Sequence, residues 1–209
     1  MAYLVLIRHG MSSYNAKGLW TGLDNPDLIE NGISEAKTAG DQIKDILFNH
    51  AFVSDLIRTK HTLDIIKNEL RQKIPTTVSK KLNERNYGDY TAKNKWEIRD
   101  EVGEDTFLKI RRSWDYPIPN GESLKDVYNR EILYFKENIE PLLKHNENIL
   151  IVSSGNALRV IVKYLEKIDD KKISELEIGI GEVYVYKLDY DLKILSKEIR
   201  NQNKSKGKI

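Results

Sequence analysis

The stretch LVLIRHGMSSYN occupies residues 4–15 and decides the fold class. Its first four residues, 4–7, form a short, uninterrupted apolar run, which is typical of a strand buried on both faces in a parallel sheet covered by helices. Arg8, His9 and Gly10 follow the run directly. In such sheets, ligands bind outside the carboxyl ends of the strands, and a glycine there lets the chain turn close to a ligand. The stretch therefore predicts a buried strand that ends at a functional site.

Outward from this stretch, apolar runs alternate with segments of helical spacing. The pattern predicts strands at residues 3–7, 51–54, 76–79, 148–153 and 182–188. It predicts helices at residues 31–49, 55–70, 93–114 with a break near Gly103, 123–144 with a bend before Pro141, and 156–167. Strands that alternate with helices predict an α/β fold, with a mostly parallel central sheet flanked by helices.

The same pattern of apolar residues predicts the domain organisation. Residues 86–122 are irregular, and we interpret them as an insertion over one end of the sheet. The chain shows no internal repeat and no linker, so we expect residues 1–209 to form one domain. The polar C-terminal segment, from about residue 198 to residue 209, is predicted to be a flexible tail.

Composition narrows the range of functions. The chain has 209 residues, and its 34 basic and 32 acidic residues give a net charge of only +2. This balance gives no reason to expect nucleic acid or a membrane surface as a partner. The absence of cysteine excludes disulfides and thiolate metal sites. With no apolar run of membrane-spanning length and no basic leader, we expect a cytoplasmic protein.

A second stretch, ILIVSSGNALRV at residues 149–160, repeats the form of the first. Its apolar run ends before Gly155 and Asn156, which begin a helix, and a helix N-terminus favours an anion. Further cations follow other strands or lie in the insertion: Arg58, Arg85, Lys95, Arg111 and Arg112. Each alone is also consistent with a solvated surface residue. Together they favour a phosphate-binding cluster, because arginine offers paired donors to phosphate oxygens.

Five segments together resemble the histidine phosphatase superfamily. They are RHG (8–10), LNERNYGDYTAKNK (82–95), RRSWDYPIP (111–119), GESLKD (121–126) and SGNALRVIVKYLE (154–166). Within the superfamily, NERNYG, the lysine after it and RRSWD are similar to the cofactor-dependent phosphoglycerate mutases, which use 2,3-bisphosphoglycerate. The resemblance covers about residues 3–189.

The resemblance implies a role for each matching position. His9 would be the nucleophile that carries the phosphoryl group as phosphohistidine, Arg8 and Arg58 would hold that group, and Glu84 would be the general acid and base. The remaining positions would bind the substrate: Asn15, Thr21, Gly22, Tyr87, Lys95, Arg111, Arg112, Ser154, Gly155 and Asn156.

The resemblance also implies the cofactor and the partners. The phosphoryl donor that primes His9 would be 2,3-bisphosphoglycerate. No metal would be needed, since arginines and helix ends supply the positive charge. The partners would be small phosphorylated glycerates, and a homo-oligomer is allowed.

Three features depart from the family pattern. One is Met11, where the family has a glutamate or another polar residue after RHG. The family has a histidine directly before the Gly-Asn pair, where this chain has Ser154. Loss of one preorganised donor costs on the order of 10²–10³ in rate in other enzymes. The segment before the ESLKD helix, residues 118–121, is also short, so we expect a smaller cover over the site.

These features leave three hypotheses. The first is a phosphoglycerate mutase that interconverts 3- and 2-phosphoglycerate, with activity weakened by Ser154. The second is a phosphomonoesterase of the same superfamily, which the short cover favours. The third is a catalytically poor protein that binds phosphorylated metabolites.

Overall fold

The computed structural model describes residues 1–203. Within this range the chain forms six strands, at Ala2–Arg8 (β1), His50–Ser54 (β2), Thr76–Ser79 (β3), Ile149–Ser153 (β4), Val183–Leu188 (β5) and Ile194–Arg200 (β6). The α-helices of the same range are Ser13–Ala16 (α1), Glu30–Asp41 (α2), Ile57–Leu70 (α3), Lys95–Val102 (α4), Glu104–Arg112 (α5), Leu124–Asn138 (α6), Glu140–Lys144 (α7) and Gly155–Glu166 (α8). Every helix in residues 1–203 is too short or too polar to cross a membrane.

The strands form one sheet in the order β3-β2-β4-β1-β5-β6. The first four in this order are parallel, whereas β5 and β6 run antiparallel to their neighbours. This confirms the predicted α/β fold with a mostly parallel central sheet. Arg8 at the end of β1 pairs with Ser153 at the end of β4. The two stretches that the sequence singled out therefore end side by side.

Both faces of β1 are covered, which explains its continuous apolar sequence. Leu4 and Leu6 belong to a core that includes buried side chains of α6 and α8. Val5 and Ile7 belong to a second core, with buried side chains of α2 and α3. Helices therefore flank the sheet on both sides, as predicted.

The helix predicted at residues 31–49 is too long. It ends at Asp41, and the chain continues in tight turns in which Ile43 and Ile46 bond to carbonyls three residues earlier. Both isoleucines are still buried. Consecutive turns thus preserved the apolar spacing on which the prediction rested. The helix predicted at 123–144 is divided at Ile139 into α6 and α7, close to the predicted bend.

The prediction of a flexible tail from about residue 198 is wrong for the residues that the structure describes, 198–203. Residues 198–200 complete β6, which the sequence did not predict because its residues 195–199 are all exposed and show no alternation. The next residues are anchored too. Asn201 donates a hydrogen bond to Gly181 O (2.9 Å), and Asn203 donates one to Ile180 O (2.9 Å). Residues 204–209 of the predicted tail lie outside the described residues.

The insertion carries α4 and α5, separated at Gly103 as predicted. Its apolar side chains form a separate cluster with Trp20, which includes Tyr87, Ile98, Phe107 and Ile110. This cluster supports one wall of a cleft at the carboxyl ends of the parallel strands.

Candidate active site

His9 lies directly after β1, and its side chain is only 3% exposed. Its N–H bonds to Ser153 O at 3.0 Å, which fixes the residue to the end of β4. The glycine that follows is required by a close approach of backbone. A Cβ on Gly10 would lie 2.1 Å from Gly32 O at the start of α2. The loop that carries His9 is therefore held rigidly between the sheet and α2.

The surroundings of His9 define the state of its imidazole ring. Nδ1 lies 2.7 Å from Gly10 O, and Arg58 Nε donates to Nε2 at 3.2 Å. A carbonyl can only accept, so Nδ1 carries the hydrogen and Nε2 carries the lone pair. Burial, followed by the charges of Arg58 and Arg8, holds the pKa of His9 well below its ordinary value. A neutral imidazole with its lone pair on Nε2 can act as a nucleophile.

Two arginines flank this histidine. Arg58 at the start of α3 is fully buried and donates to Gly22 O (3.0 Å) and Asp24 O (2.8 Å). Burial, opposed in part by Glu84, lowers the pKa of Arg58 to about 10, so its guanidinium is charged at neutral pH. Arg8 donates from Nη1 to Ile178 O (2.6 Å), whereas its buried Nε has no partner within residues 1–203.

Glu84 is a carboxylate of the cleft whose charge reaches Arg58, and we call the part of the site formed by His9, Arg58 and Glu84 the reacting end. Glu84 is nearly buried, and its oxygens accept hydrogen bonds from Arg85 N (2.7 Å) and Asn156 N (3.4 Å). The second donor belongs to the first turn of α8, so the carboxylate lies at a helix N-terminus, where negative charge is stabilised. Asn156 also donates from Nδ2 to the Tyr87 hydroxyl (2.9 Å). Glu84, Tyr87 in the insertion and Asn156 in α8 are therefore joined in one hydrogen-bond network.

The cleft has a volume of about 450 Å³. Nine of the residues expected at the site line it: Arg8, Asn15, Glu84, Tyr87, Lys95, Arg111, Arg112, Gly155 and Asn156. The other five, His9, Thr21, Gly22, Arg58 and Ser154, do not line it. Of these, Gly22 contributes a carbonyl to Arg58.

Four charged residues line the same cleft in what we call the distal cluster: Lys95, Arg111, Arg112 and Glu177. Lys95 and Arg111 contact the aromatic rings of Trp20 and Phe107, but their charged groups make no hydrogen bond or ion pair with the described residues. Arg112 differs, because its Nη2 lies 2.5 Å from Glu177 Oε2. The cluster thus offers two unpaired cations and one that is already paired.

Lys95 should impose a pH dependence on anion binding. Burial, followed by the charges of Arg111 and Arg8, lowers the pKa of Lys95 to about 8. The ammonium group therefore loses its proton as the pH rises through 8. We expect the KM for an anionic substrate to rise above this pH, and to stay flat in Lys95→Arg, because arginine keeps its charge. The measurement is KM between pH 7 and 9.5 for both proteins; parallel profiles would exclude Lys95 as the titrating group.

Among the charged residues that the sequence did not indicate, three contact residues of the site: Glu177, Arg130 and Arg159. Glu177 and Arg130 could not be predicted, because no motif indicates them and both contact residues that are distant in the sequence. Arg159 could have been predicted, because it lies one turn after Asn156 on the same helix. It is buried and donates to Asn156 Oδ1 (2.8 Å), which orients the amide that holds Tyr87. Helical spacing could have suggested Arg159.

Arg130 on α6 holds the backbone that carries Glu84. Its guanidinium donates to three carbonyls, Lys81 O (2.8 Å), Asn83 O (2.9 Å) and Glu84 O (3.2 Å). Its Nε donates to Glu122 Oε1 at 2.7 Å. The planar guanidinium can satisfy these acceptors together, whereas an ammonium group cannot. Arg130 is therefore a positioning residue for Glu84.

Arg130→Lys should lower kcat about 10- to 100-fold, because misplacement of a catalytic group by an ångström can cost about 10²-fold. Binding of inorganic phosphate should change little, since Arg130 does not line the cleft. Lys125→Arg, an exposed change on the same helix, is the control. A kcat within threefold of the parent protein would show that Glu84 does not depend on this contact.

Ser154 is the residue directly before α8. It is fully buried, its hydroxyl does not cap the helix, and Oγ has no hydrogen-bond partner in residues 1–203. A buried polar group without a partner destabilises a fold by about 1–3 kcal/mol. Such a group is retained most readily where a ligand supplies the partner.

Ser154→Ala should therefore separate stability from activity. We expect the melting temperature to rise by about 2–4 °C, since about 1 kcal/mol of desolvation cost is removed. We expect kcat to fall about 10- to 100-fold if the hydroxyl serves the transferring group. Ser196→Ala, on the exposed face of β6, is the matched control. A more stable variant with unchanged kcat would make Ser154 a packing residue only.

The described residues hold no group of three or more histidine, aspartate or glutamate side chains arranged to bind a metal ion. The positive charge of the site within residues 1–203 comes from arginine, lysine and the N-terminus of α8.

Together these features define an α/β protein with a neutral histidine beside an anion-binding cleft. Residues 4–198 match the model of the histidine phosphatase superfamily, branch 1. Over 197 residues, the chain is 45% identical to a protein of Nitrobacter hamburgensis and 43% identical to one of Bradyrhizobium diazoefficiens, covering 93% of this chain and 95% of each relative. Both are named 2,3-bisphosphoglycerate-dependent phosphoglycerate mutase. The chain belongs to the histidine phosphatase superfamily and, within it, to the family of these two mutases.

Solved structures show the same fold. A mycobacterial glucosyl-3-phosphoglycerate phosphatase, solved with VO3, has a TM-score of 0.82 at 19% identity, over 97% of this chain and 99% of that chain. The alpha-ribazole phosphatase of Shigella flexneri has a TM-score of 0.78 at 24% identity, over 95% and 94% of the two chains. At these identities the likeness extends to the fold alone.

Proposed function

We propose that this protein interconverts 3-phosphoglycerate and 2-phosphoglycerate, a step of glycolysis and gluconeogenesis, through a phosphohistidine at His9. The observation that carries the proposal is the state of His9, a neutral imidazole whose Nε2 lone pair lies beside the charged Arg58. The names of the relatives, at 45% and 43% identity over nearly the whole chain, support the choice of substrate. The proposal implies a cytoplasmic enzyme.

The residues of the cleft fit 2,3-bisphosphoglycerate, which would supply the phosphoryl group that primes His9. Near His9, Arg8 Nε and Ser154 Oγ are buried donors without partners within residues 1–203. In the distal cluster, Lys95 and Arg111 are cations without ion-pair partners in the same range. A ligand with an anionic group at each end can thus be held at both ends by groups that are otherwise unsatisfied.

The mechanism uses His9 and Glu84 in turn. With the phosphoryl group on Nε2, Glu84 accepts the proton of the free substrate hydroxyl while that oxygen attacks phosphorus. The P–N bond then breaks, and Nε2 regains its lone pair. In the return step, Nε2 attacks the other phosphoryl group, and Glu84 gives the proton to the oxygen that leaves. Arg8 and Arg58 stabilise the charge on the phosphoryl oxygens in both steps.

The backbone N–H groups at the start of α8 lie next to the Glu84 carboxylate. Asn156 N already donates to the Glu84 carboxylate, so the helix end can balance negative charge as Glu84 exchanges its proton. Ser154 offers the transferring group a neutral hydroxyl. We propose that activity is for this reason lower than an imidazole at that position would give.

The test is a pair of steady-state assays with 3-phosphoglycerate and a low concentration of 2,3-bisphosphoglycerate. One assay follows 2-phosphoglycerate and the other follows inorganic phosphate. Formation of 2-phosphoglycerate in excess of phosphate supports the mutase. Phosphate as the main product would establish a phosphomonoesterase instead. Tight binding without either product would establish a protein that only binds phosphorylated metabolites.

A further inference from the structure

A carboxylate lies on the wall of the anion-binding cleft, away from the reacting end. Glu177 lines the cleft, and its Oε2 is 2.5 Å from Arg112 Nη2. The two side chains are only 21% and 18% exposed, respectively, so water screens the pair less than it would a surface pair. The distal cluster that should receive an anion therefore already contains one.

Glu177 has no part in the phosphoryl transfer described above. Its charge reaches other cations of the cleft as well: burial lowers the pKa of Arg111, and Glu177 is one of the charges that oppose this shift. A carboxylate in this position weakens anion binding in two ways. It occupies the guanidinium that a ligand would use, and it repels the ligand.

We propose that Glu177 is a specificity-determining residue that competes with the ligand for Arg112 and selects against ligands of high negative charge. The inference rests on the proposed function. Coulomb repulsion scales with the charge of the ligand. A bisphosphoglycerate therefore loses more affinity than a monophosphoglycerate, and inorganic phosphate, bound near His9, loses least.

Selection of this kind suits a site that must handle both classes of ligand. Lys95 and Arg111 remain available to hold one anionic group at the distal cluster. Glu177 prevents Arg112 from adding a third strong contact unless the ligand displaces it. A bisphosphate can then prime His9 by transferring one phosphoryl group to Nε2, which leaves a monophosphoglycerate. A bisphosphate that does not react dissociates, so that monophosphates are not excluded from the cleft.

The experiment is calorimetric titration of Glu177→Gln with 2,3-bisphosphoglycerate, 3-phosphoglycerate and inorganic phosphate. All proteins carry His9→Ala, so that no phosphoryl group is transferred during the titration. Glu175→Gln, an exposed change two residues away that removes the same charge, is the matched control. Glutamine keeps the shape of Glu177 and one acceptor for Arg112.

We expect Glu177→Gln to strengthen binding of the bisphosphate about tenfold and of 3-phosphoglycerate about threefold, with a smaller change for phosphate. Glu175→Gln should leave all three affinities nearly unchanged. Equal changes for the three ligands, equal changes in the two variants, or weaker binding by Glu177→Gln would each overturn the inference. Absence of binding of both phosphoglycerates to the His9→Ala parent would overturn the proposed function with it.

Discussion

Replacement of His9 by alanine is expected to lower kcat for phosphoglycerate interconversion by more than about 10³-fold, the scale on which loss of a nucleophile acts in other enzymes. The methyl group offers no lone pair to phosphorus, and none of His50, His61 and His145 lines the adjoining cleft to replace it. The fold should persist, because His9 lies in a loop after β1 rather than in either core.

The control for this variant is His145→Ala, an exposed change after α7. Circular dichroism and thermal melting of both variants establish that the fold is intact. A folded His9→Ala protein that retains a tenth or more of the parent kcat would exclude His9 as the nucleophile.

Arg58→Lys should lower kcat about 10²- to 10³-fold, the usual cost of losing one preorganised donor at a developing charge. Arg58 donates to His9 and to two carbonyls at once, so it holds the imidazole and the loop at residues 22–24 together. Lysine keeps the charge but cannot reproduce these three directed hydrogen bonds. The loss should fall on kcat more than on KM, because the charge that Arg58 faces grows in the transition state.

Arg71→Lys, at the exposed C-terminal end of the same helix, is the matched control. The kinetics are measured with saturating 3-phosphoglycerate and a fixed concentration of 2,3-bisphosphoglycerate. If Arg58→Lys retained its kcat within threefold, positive charge alone would suffice at this position and the directed contacts would be dispensable.

The sequence predicted most of the fold and the reacting end of the site. The fully apolar runs that became β1 and β4 required a sheet covered on both faces, and parallel strands bring their carboxyl ends to one edge. Arg8 and Ser153 meet there as register partners. The order of elements was therefore enough to bring His9 next to the start of α8.

Other features could not be predicted because they depend on contacts between distant parts of the chain. Arg112 and Glu177 are 65 residues apart, and Arg130 and Lys81 are 49 apart. Neither pair belongs to a local pattern of spacing. The edge strand β6 was missed for another reason, since its exposed residues 195–199 give no alternation of apolar and polar side chains. Local periodicity identifies elements that bury a face, and it does not identify a strand that buries almost none.

The two parts of the site differ in how their charged side chains are held. At the reacting end, His9, Arg58 and Glu84 are fixed by hydrogen bonds to backbone groups. In the distal cluster, the charged groups of Lys95 and Arg111 make no hydrogen bond or ion pair with the described residues, and Arg112 is paired with Glu177. We infer that phosphoryl transfer takes place at the reacting end, where the side chains are held by hydrogen bonds, and that the distal cluster discriminates between ligands.

Phosphorylation of His9 can be observed by incubating the protein with 2,3-bisphosphoglycerate and analysing the modified peptide by mass spectrometry under alkaline conditions. We expect one phosphoryl group on the peptide that contains His9, labile to acid, absent in His9→Ala and lost when 3-phosphoglycerate is added. An unmodified His9 under conditions in which 2-phosphoglycerate is formed would exclude His9 as the carrier of the phosphoryl group. A phosphoryl group on any other residue that disappears at the rate of turnover would exclude it as well.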